Sequence, residues 1–221
     1  MTMTIKAVIF DLDGTLLDSL EDIADSIDKM LLGRGYPVCG DPEVFRQMIG
    51  DGMDLLVARA LPEAARTPEI IAAGVEEYRA HYENLWQNKT RLYDGIGEML
   101  DALAARGLKL AVISNKAHRF VVPMCHHFFG TERFAGILGQ RPDVARKPDA
   151  AGGLEMAALL EVAPAECAYI GDSGVDMAFA KNCGMLGIGV RWGFRTEAEL
   201  LAHGADHLIS HPADLLPLLE K

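Results

Sequence analysis

The sequence predicts an α/β protein, a doubly wound parallel sheet with an α-helical segment inserted after the first strand. Three observations predict it. Short aliphatic runs recur at residues 6–10 (KAVIF), 108–113 (LKLAVI), 167–170 (CAYI) and 186–190 (LGIGV), and they are continuous rather than alternating, the pattern of strands covered on both faces. Stretches of helical period separate the later runs. Between about Leu17 and Gln87 there are helix patterns and no strand-like run, which reads as a small helical unit set into the α/β unit. The expected division is therefore a core of residues 1–16 and 88–221 and a helical insertion of residues 17–87.

Each element has its local reason. The first run stops at Asp11. In the insertion, Ser19 is an expected N-cap for a helix through Ile23, Ile27, Met30 and Leu31, and residues 33–40 are a turn-rich break. A second helix covers 53–61. Thr67-Pro68 supplies a cap and a first-turn proline for a third, with Ile71, Val75, Tyr78, Tyr82 and Leu85 on one side. The connections near Leu17 and near residues 88–91 read as a double hinge. In the core, helices are expected at 96–105, 120–129, 150–160, 175–183, 197–202 and 213–219, with Gly107 and Gly184 at C-termini that favour a left-handed residue. Residues 137–138 are expected as a short further strand.

Composition narrows the function. The 32 acidic and 21 basic residues give a formal charge of −11 over 221 residues. Such a chain has no general attraction for nucleic acid or an anionic membrane. No uncharged apolar stretch approaches the ~18 residues of a membrane span. The first six residues lack the features of a signal peptide, and Cys39, Cys125, Cys167 and Cys183 are too widely spaced for a metal knuckle, so reduced thiols in a cytoplasmic protein are expected.

Four places carry chemistry. Asp11-Leu12-Asp13-Gly14-Thr15 puts two carboxylates at the end of a buried strand, where open α/β sheets bind ligands, and residues two apart in extended chain project to one side. Such a pair repels unless a cation lies between the two or one is protonated. Ser114-Asn115 ends the second long run, where a hydroxyl and backbone N–H groups can cradle phosphate oxygens. Lys147, between Arg146 and Pro148, offers a fixed ammonium. Gly171-Asp172-Ser173-Gly174-Val175-Asp176 follows the third run, with Asp172 at the strand end and Asp176 one helical turn on. Four carboxylates make an oxygen-rich site suited to Mg²⁺. The seven histidines include no H-E-x-x-H, and the glycine-rich stretches contain no P-loop and no dinucleotide fingerprint after the first strand.

These four motifs, in this order at successive strand ends, resemble the haloacid dehalogenase superfamily of phosphotransferases over essentially the whole chain. The insertion resembles that superfamily's helical cap. Gly50-Asp51-Gly52, Tyr93-Asp94-Gly95 and Gly204-Ala205-Asp206 look most like its phosphoglycolate phosphatase branch, although related loops often carry an uncharged residue where this chain has Asp51. The resemblance implies that Asp11 attacks phosphorus to form an aspartyl-phosphate and that Asp13 serves as acid and then base. It implies that Asp11, the Asp13 carbonyl and Asp172 hold Mg²⁺, with Asp176 orienting the metal's waters. Ser114 and the Asn115 backbone would hold phosphate oxygens, and Lys147 would neutralise charge beside Asp11. The expected substrate is a small phosphate ester, 2-phosphoglycolate first. The Gly50–Gly52 loop would reach the site, and Arg46 and Arg59 are candidates for a substrate carboxylate.

Other chemistry of the superfamily stays open at this point: pyrophosphate and nucleotide hydrolysis, phosphosugar mutation, and phosphonoacetaldehyde hydrolysis, which needs a cap lysine that only Lys29 could supply. Asp13 argues against a haloacid dehalogenase, and residues 18–28 lack the histidine of the mutase branch. A phosphoacceptor signalling domain or an inactive scaffold is the non-enzymatic alternative. A receiver domain has no place for the inserted helices.

Overall fold

In the computed structural model, which describes residues 4–219, the chain runs β1 (Ala7–Phe10), β2 (Leu17–Asp18), α1 (Leu20–Gly33), α2 (Met53–Ala60), α3 (Pro68–Leu85), β3 (Arg91–Leu92), α4 (Ile96–Ala105), β4 (Lys109–Ala117), α5 (His118–Phe129), β5 (Gly136–Gln140), α6 (Ala151–Leu159), β6 (Cys167–Gly171), α7 (Gly174–Cys183), β7 (Leu186–Val190), α8 (Glu197–Ala202), β8 (His207–Ile209) and α9 (Leu215–Leu219). Six strands form one sheet in the order β5-β4-β1-β6-β7-β8, every pairing parallel.

An all-apolar strand is stable only when covered on both sides, and β1 sits mid-sheet with all four residues fully buried. Val8 and Phe10 join Leu100 and Leu103 of α4 and Val121 and Met124 of α5 on one face. Ala7 and Ile9 join Met156 of α6 and Phe179 of α7 on the other. The chain fills β4 and β5 on one side of β1, then crosses back to β6 on the other. Strand order therefore reverses at β1, and the crevice at its carboxyl end is where such sheets place ligands.

The helical segment leaves and re-enters through adjacent strands. Leu17 and Asp18 of β2 pair antiparallel with Leu92 and Arg91 of β3, a small ladder in a region where the sequence pattern showed no strand. The fully buried Asp22 ties the second connection to α1: its carboxylate accepts the N–H groups of Lys89 and Thr90 and the Thr90 hydroxyl at 2.7–3.1 Å. Tyr82 of α3 is fully buried, meets the Phe120 ring of α5 edge-on at 5.2 Å, and continues the apolar cluster from the sheet into the helices. Thr67 caps α3 as expected, accepting from the Ile70 N–H at 3.3 Å.

Some elements differ from the sequence expectation. Ser19 precedes α1 but makes no capping bond, because its hydroxyl is turned to Asp13 instead. The pair at 137–138 widens into the five residues of β5. The edge strand β8 has only three residues, too short a run for its period to register. The stretch 213–219 starts as a 3₁₀ turn at Pro212–Asp214 before α9. Ser114 and Asn115 lie within β4, not in a turn beyond it. Pairing with β5 lapses between Ile113↔Leu138 and Ala117↔Gln140, so four steps along β4 match two along β5. This bulge frees residues 114–116 from the regular ladder at the carboxyl end of the sheet.

Candidate active site

The motifs converge at the carboxyl end of β1. The Asp11 N–H donates to the Ile170 carbonyl at 2.9 Å, so the residue stays in register with β6 after its own strand ends. Gly14 then turns the chain with φ +79°, and a Cβ there would stand 2.3 Å from Asp172 Oδ2. Only glycine allows both the turn and that approach. Asp172 follows β6, and its Oδ2 accepts the Phe194 N–H at 2.7 Å. Asp176, in the first turn of α7, accepts from the Ser173 N–H at 3.0 Å and the Ser173 hydroxyl at 2.6 Å, while the Ser173 oxygen accepts the Asp176 N–H at 3.3 Å. This reciprocal cap fixes Asp176 where the helix dipole favours a negative charge.

Lys147 joins the carboxylates. Its Nζ lies 3.0 Å from Asp11 Oδ1 and 2.7 Å from Asp176 Oδ1, and it donates to the Tyr169 hydroxyl at 2.8 Å. That hydroxyl donates in turn to the Ile113 carbonyl at 2.9 Å. The Asn115 side chain grips the Lys147 backbone from both sides, Oδ1 accepting its N–H at 2.8 Å and Nδ2 donating to its carbonyl at 3.1 Å. Nδ2 also donates to the Gly50 carbonyl at 3.0 Å, which ties the helical segment to β4.

Burial sets the charges. It pushes the Asp11 carboxyl up to about 6, with Lys147 pulling down and Asp176 and Asp13 pushing further up. Burial likewise raises Asp172 well above the carboxylate range, reinforced by Asp176 and Asp11. Burial opposes the Lys147 ammonium, yet Asp11 and Asp176 more than offset it and its pKa is raised. One ammonium therefore serves several buried carboxylates, an imbalance that a further cation would relieve.

The residues fit a hard divalent cation. Asp11, Asp172 and Asp176 each offer a carboxylate oxygen, all within 4.8 Å of one another and all buried. Asp11 Oδ1 is buried without a hydrogen bond, because Lys147 stands close but off the hydrogen-bonding direction. An oxygen-only donor set is that of Mg²⁺ rather than of a softer metal.

A cavity opens above this cluster. Its floor is Asp11, Asp13, Ser114, Asn115, Asp172 and Ser173, and its roof is Ile23, Ile49, Met53, Leu56 and Tyr78 of the helical segment, with Gly50, Gly52 and Phe194 at the side. Lys147 and Asp176 lie behind the floor. The structure does not bring Arg46, Arg59 or Asp51 to the cavity wall, contrary to the sequence expectation. Arg59 pairs with Asp51 at 2.6 Å and donates to the Met48 carbonyl at 2.8 Å. Arg46 pairs with Glu43, donates to the Gly193 carbonyl at 3.0 Å and lies 5.8 Å from the Phe194 ring centre. Both guanidiniums are spent on partners that their own loop and the residues after β7 provide. The same pairing explains Asp51: its charge is met by Arg59.

Two cations that the sequence reading passed over do line the cavity, Lys116 and Arg195. Lys116 Nζ contacts both oxygens of Asp13, at 3.1 and 2.8 Å, and lies 4.5 Å from the Tyr82 ring centre. Ser19 donates to the same carboxylate at 2.5 Å. Arg195 reaches from the end of β7 to the Arg46, Gln47 and Ile49 carbonyls, the last at 2.6 Å. Trp192, close by, donates to the Thr15 carbonyl at 3.0 Å. Arg195 lies in the segment that follows β7, and Lys116 is the residue after the Ser114-Asn115 motif, which was the available signal for it.

Acidic strand ends, a buried ammonium and a roofed crevice at the reversal point define an α/β protein with an acidic, cation-compatible site at the switch point of its parallel sheet. Residues 5–184 match the model of the haloacid dehalogenase-like hydrolases, and the chain belongs to that family. It is 36% identical to the phosphoglycolate phosphatase of Thiobacillus denitrificans, over 99% of this chain and 97% of that protein. It is 33% identical to that of Chromobacterium violaceum, over 98% and 97%. A crystal structure of a predicted phosphoglycolate phosphatase from Haemophilus somnus superposes with a TM-score of 0.90 at 28% identity, covering 99% of both chains. With this family and these relatives, the chain is a phosphoric monoester hydrolase.

Proposed function

We propose that this enzyme hydrolyses a small phosphate monoester, 2-phosphoglycolate first, in a Mg²⁺-dependent reaction that passes through an aspartyl-phosphate on Asp11. The observation that carries the reading is the buried cluster in which Lys147 stands 3.0 Å from Asp11 and 2.7 Å from Asp176, with Asp172 within 4.8 Å. A carboxylate is a competent nucleophile toward phosphorus, and phosphoryl transfer depends mainly on positioning and charge stabilisation. Asp11, Asp172 and the Asp13 carbonyl would hold Mg²⁺, with Asp176 orienting its waters, and the ion when bound supplies charge neutralisation for the phosphoryl group. Asp11 attacks phosphorus. Asp13, on the cavity floor, gives a proton to the departing alkoxide and takes one from the water that hydrolyses the acyl phosphate. Ser114 and the Asn115 backbone hold phosphoryl oxygens, and Lys147 keeps Asp11 oriented beside a positive charge.

In this reading residues 17–87 act as a cap over a core of 1–16 and 88–221, excluding water and supplying the wall that meets the leaving group. The relatives' names favour 2-phosphoglycolate. The alternative that needs a Schiff-base lysine loses support, because Lys29 is exposed and lies outside the cavity wall. Four free cysteines and a charge of −11 favour a reducing cytoplasmic setting without a nucleic-acid partner. Among the described residues no helix is long and apolar enough to cross a membrane.

A panel of phosphate esters assayed with Mg²⁺ and with excess chelator tests the proposal. The expected result is highest kcat/KM for 2-phosphoglycolate and loss of turnover on chelation. Preference for a nucleotide or pyrophosphate, or undiminished turnover in chelator, overturns it.

A further inference from the structure

We propose that Lys116 is the specificity-determining residue of this site, reading a carboxylate on the leaving group; the inference rests on the phosphatase reading above. The cavity offers two cations, Lys116 and Arg195. Arg195 is committed: its guanidinium donates to three carbonyls of the loop below α2 and faces Glu199 at 3.5 Å. Lys116 is not. Among the described residues its hydrogen-bond acceptors are the two oxygens of Asp13, which leaves one of three N–H donors without a protein acceptor.

Position adds to this. If Asp13 serves the ester oxygen, the ammonium 2.8 Å from its carboxylate stands one step further along the leaving group. The Lys116 side chain is only 7% exposed, and the face of Tyr82 covers it. Asp13 offsets part of this charge, so what a second carboxylate gains is a charge-assisted hydrogen bond from the remaining N–H in a water-poor setting. The bulge in β4 is what turns residues 114–116 out of the ladder and lets Ser114 and Lys116 serve one cavity.

The roof narrows the class. Ile23, Ile49, Met53 and Leu56 offer no hydrogen bond from their side chains and Tyr78 only one hydroxyl, so most hydroxyls of a sugar phosphate would be left unpaired beneath them. A short ester with a single carboxylate near Lys116 satisfies the one free donor and leaves nothing polar against the roof. The substrate class is a small phosphorylated hydroxy acid, read from the core strand β4 rather than from the arginines of the helical segment.

The test compares 2-phosphoglycolate with ethyl phosphate, which has a methyl in place of the carboxylate. The readout is the ratio of their kcat/KM values, in which effects on the phosphoryl-binding groups common to both esters cancel. Lys116→Met should lower that ratio by about 30-fold or more, the scale for losing one partner of a buried charge pair, while Lys116→Arg should keep it within about tenfold. An unchanged ratio in Lys116→Met overturns the inference, as does an equal fall in Lys116→Arg and Lys116→Met. Lys116→Gln serves if the methionine variant does not fold by circular dichroism. If the wild type turns over neither ester, the phosphatase reading fails instead. Calorimetric binding of the same two esters with Ca²⁺ then decides: an undiminished preference for 2-phosphoglycolate in Lys116→Met, or none in the wild type, removes Lys116 as the reader.

Discussion

Replacing Arg195 with alanine probes what holds the helical segment down on the sheet. The guanidinium donates to the carbonyls of Arg46, Gln47 at 3.3 Å and Ile49 at 2.6 Å, from a side chain that is 8% exposed. A hydrogen bond from a charged donor contributes roughly 1.5–3 kcal/mol. The Gln47 contact is long and exposed, so two bonds count, roughly 3–6 kcal/mol before solvent is considered. The Glu199 pair adds less than about 1 kcal/mol. Water reaches the freed carbonyls once the loop lifts, and the net cost to loop closure becomes about 2–4 kcal/mol. The loop at residues 46–50 should then open roughly 30–1000-fold more often. Hydrogen exchange read on peptides spanning 46–54 measures this directly. Arg195→Lys should recover less than half of the lost protection, because a single ammonium cannot fork to several carbonyls. Exchange in Arg195→Ala within about threefold of wild type would refute the reasoning, since these bonds would then contribute nothing to closure.

Other outcomes follow from the same geometry. Asp22→Ala strips the acceptor from the buried Lys89 and Thr90 donors, so thermal and urea unfolding should show a loss of about 3–5 kcal/mol; a loss under about 1 kcal/mol would mean that water replaces the carboxylate. Gly14→Ala places a methyl 2.3 Å from Asp172 at a positive φ, and should cut kcat far more than it lowers Tm; an active Gly14→Ala enzyme would contradict the tight β1–Asp172 approach. Burial raises Asp11 to about 6 and also raises Asp172 well above its ordinary value, so without metal the folded chain binds these protons more tightly than the unfolded chain. The Asp11 part of that contribution to stability is complete below the unfolded pKa and is lost as pH rises through about 6. A cation needs the ionised carboxylates, so the gain in Tm on adding Mg²⁺ should be small near about pH 5 and grow toward about pH 8; a flat or falling gain would contradict it.

The parallel sheet was legible because its inner strands are continuous apolar runs; Asp11, Asp172 and Asp176 stood out because they follow such runs, and Lys147 because it stands directly before Pro148. The structure gathers those four in one cluster. What could not be read was partner choice. Arg46 and Arg59 are near the Gly50–Gly52 loop in sequence, but Arg59 lies along α2 within reach of Asp51, and Arg46 is taken by Glu43 and Gly193. Arg195 meets a loop some 150 residues earlier, a contact that only folding creates. Lys116 follows Asn115 directly, yet its direction depends on the bulge in β4, which no periodicity announces. Ser19 resembles a helix cap by type, and the nearby Asp13 carboxylate won its hydroxyl.

The central claim is that Asp11 carries the phosphoryl group. Protein quenched in acid during turnover and reduced with borohydride converts an acyl phosphate to an alcohol, which mass spectrometry locates on a single peptide. Wild type and Asp13→Asn are compared with Mg²⁺ and 4-nitrophenyl phosphate, whose leaving group departs without a proton, so the variant still forms the intermediate but lacks the base that activates water and retains more of it. The account predicts reduction at Asp11, greater in Asp13→Asn than in wild type. Reduction at another residue, or none in either protein while wild type turns over, would contradict it.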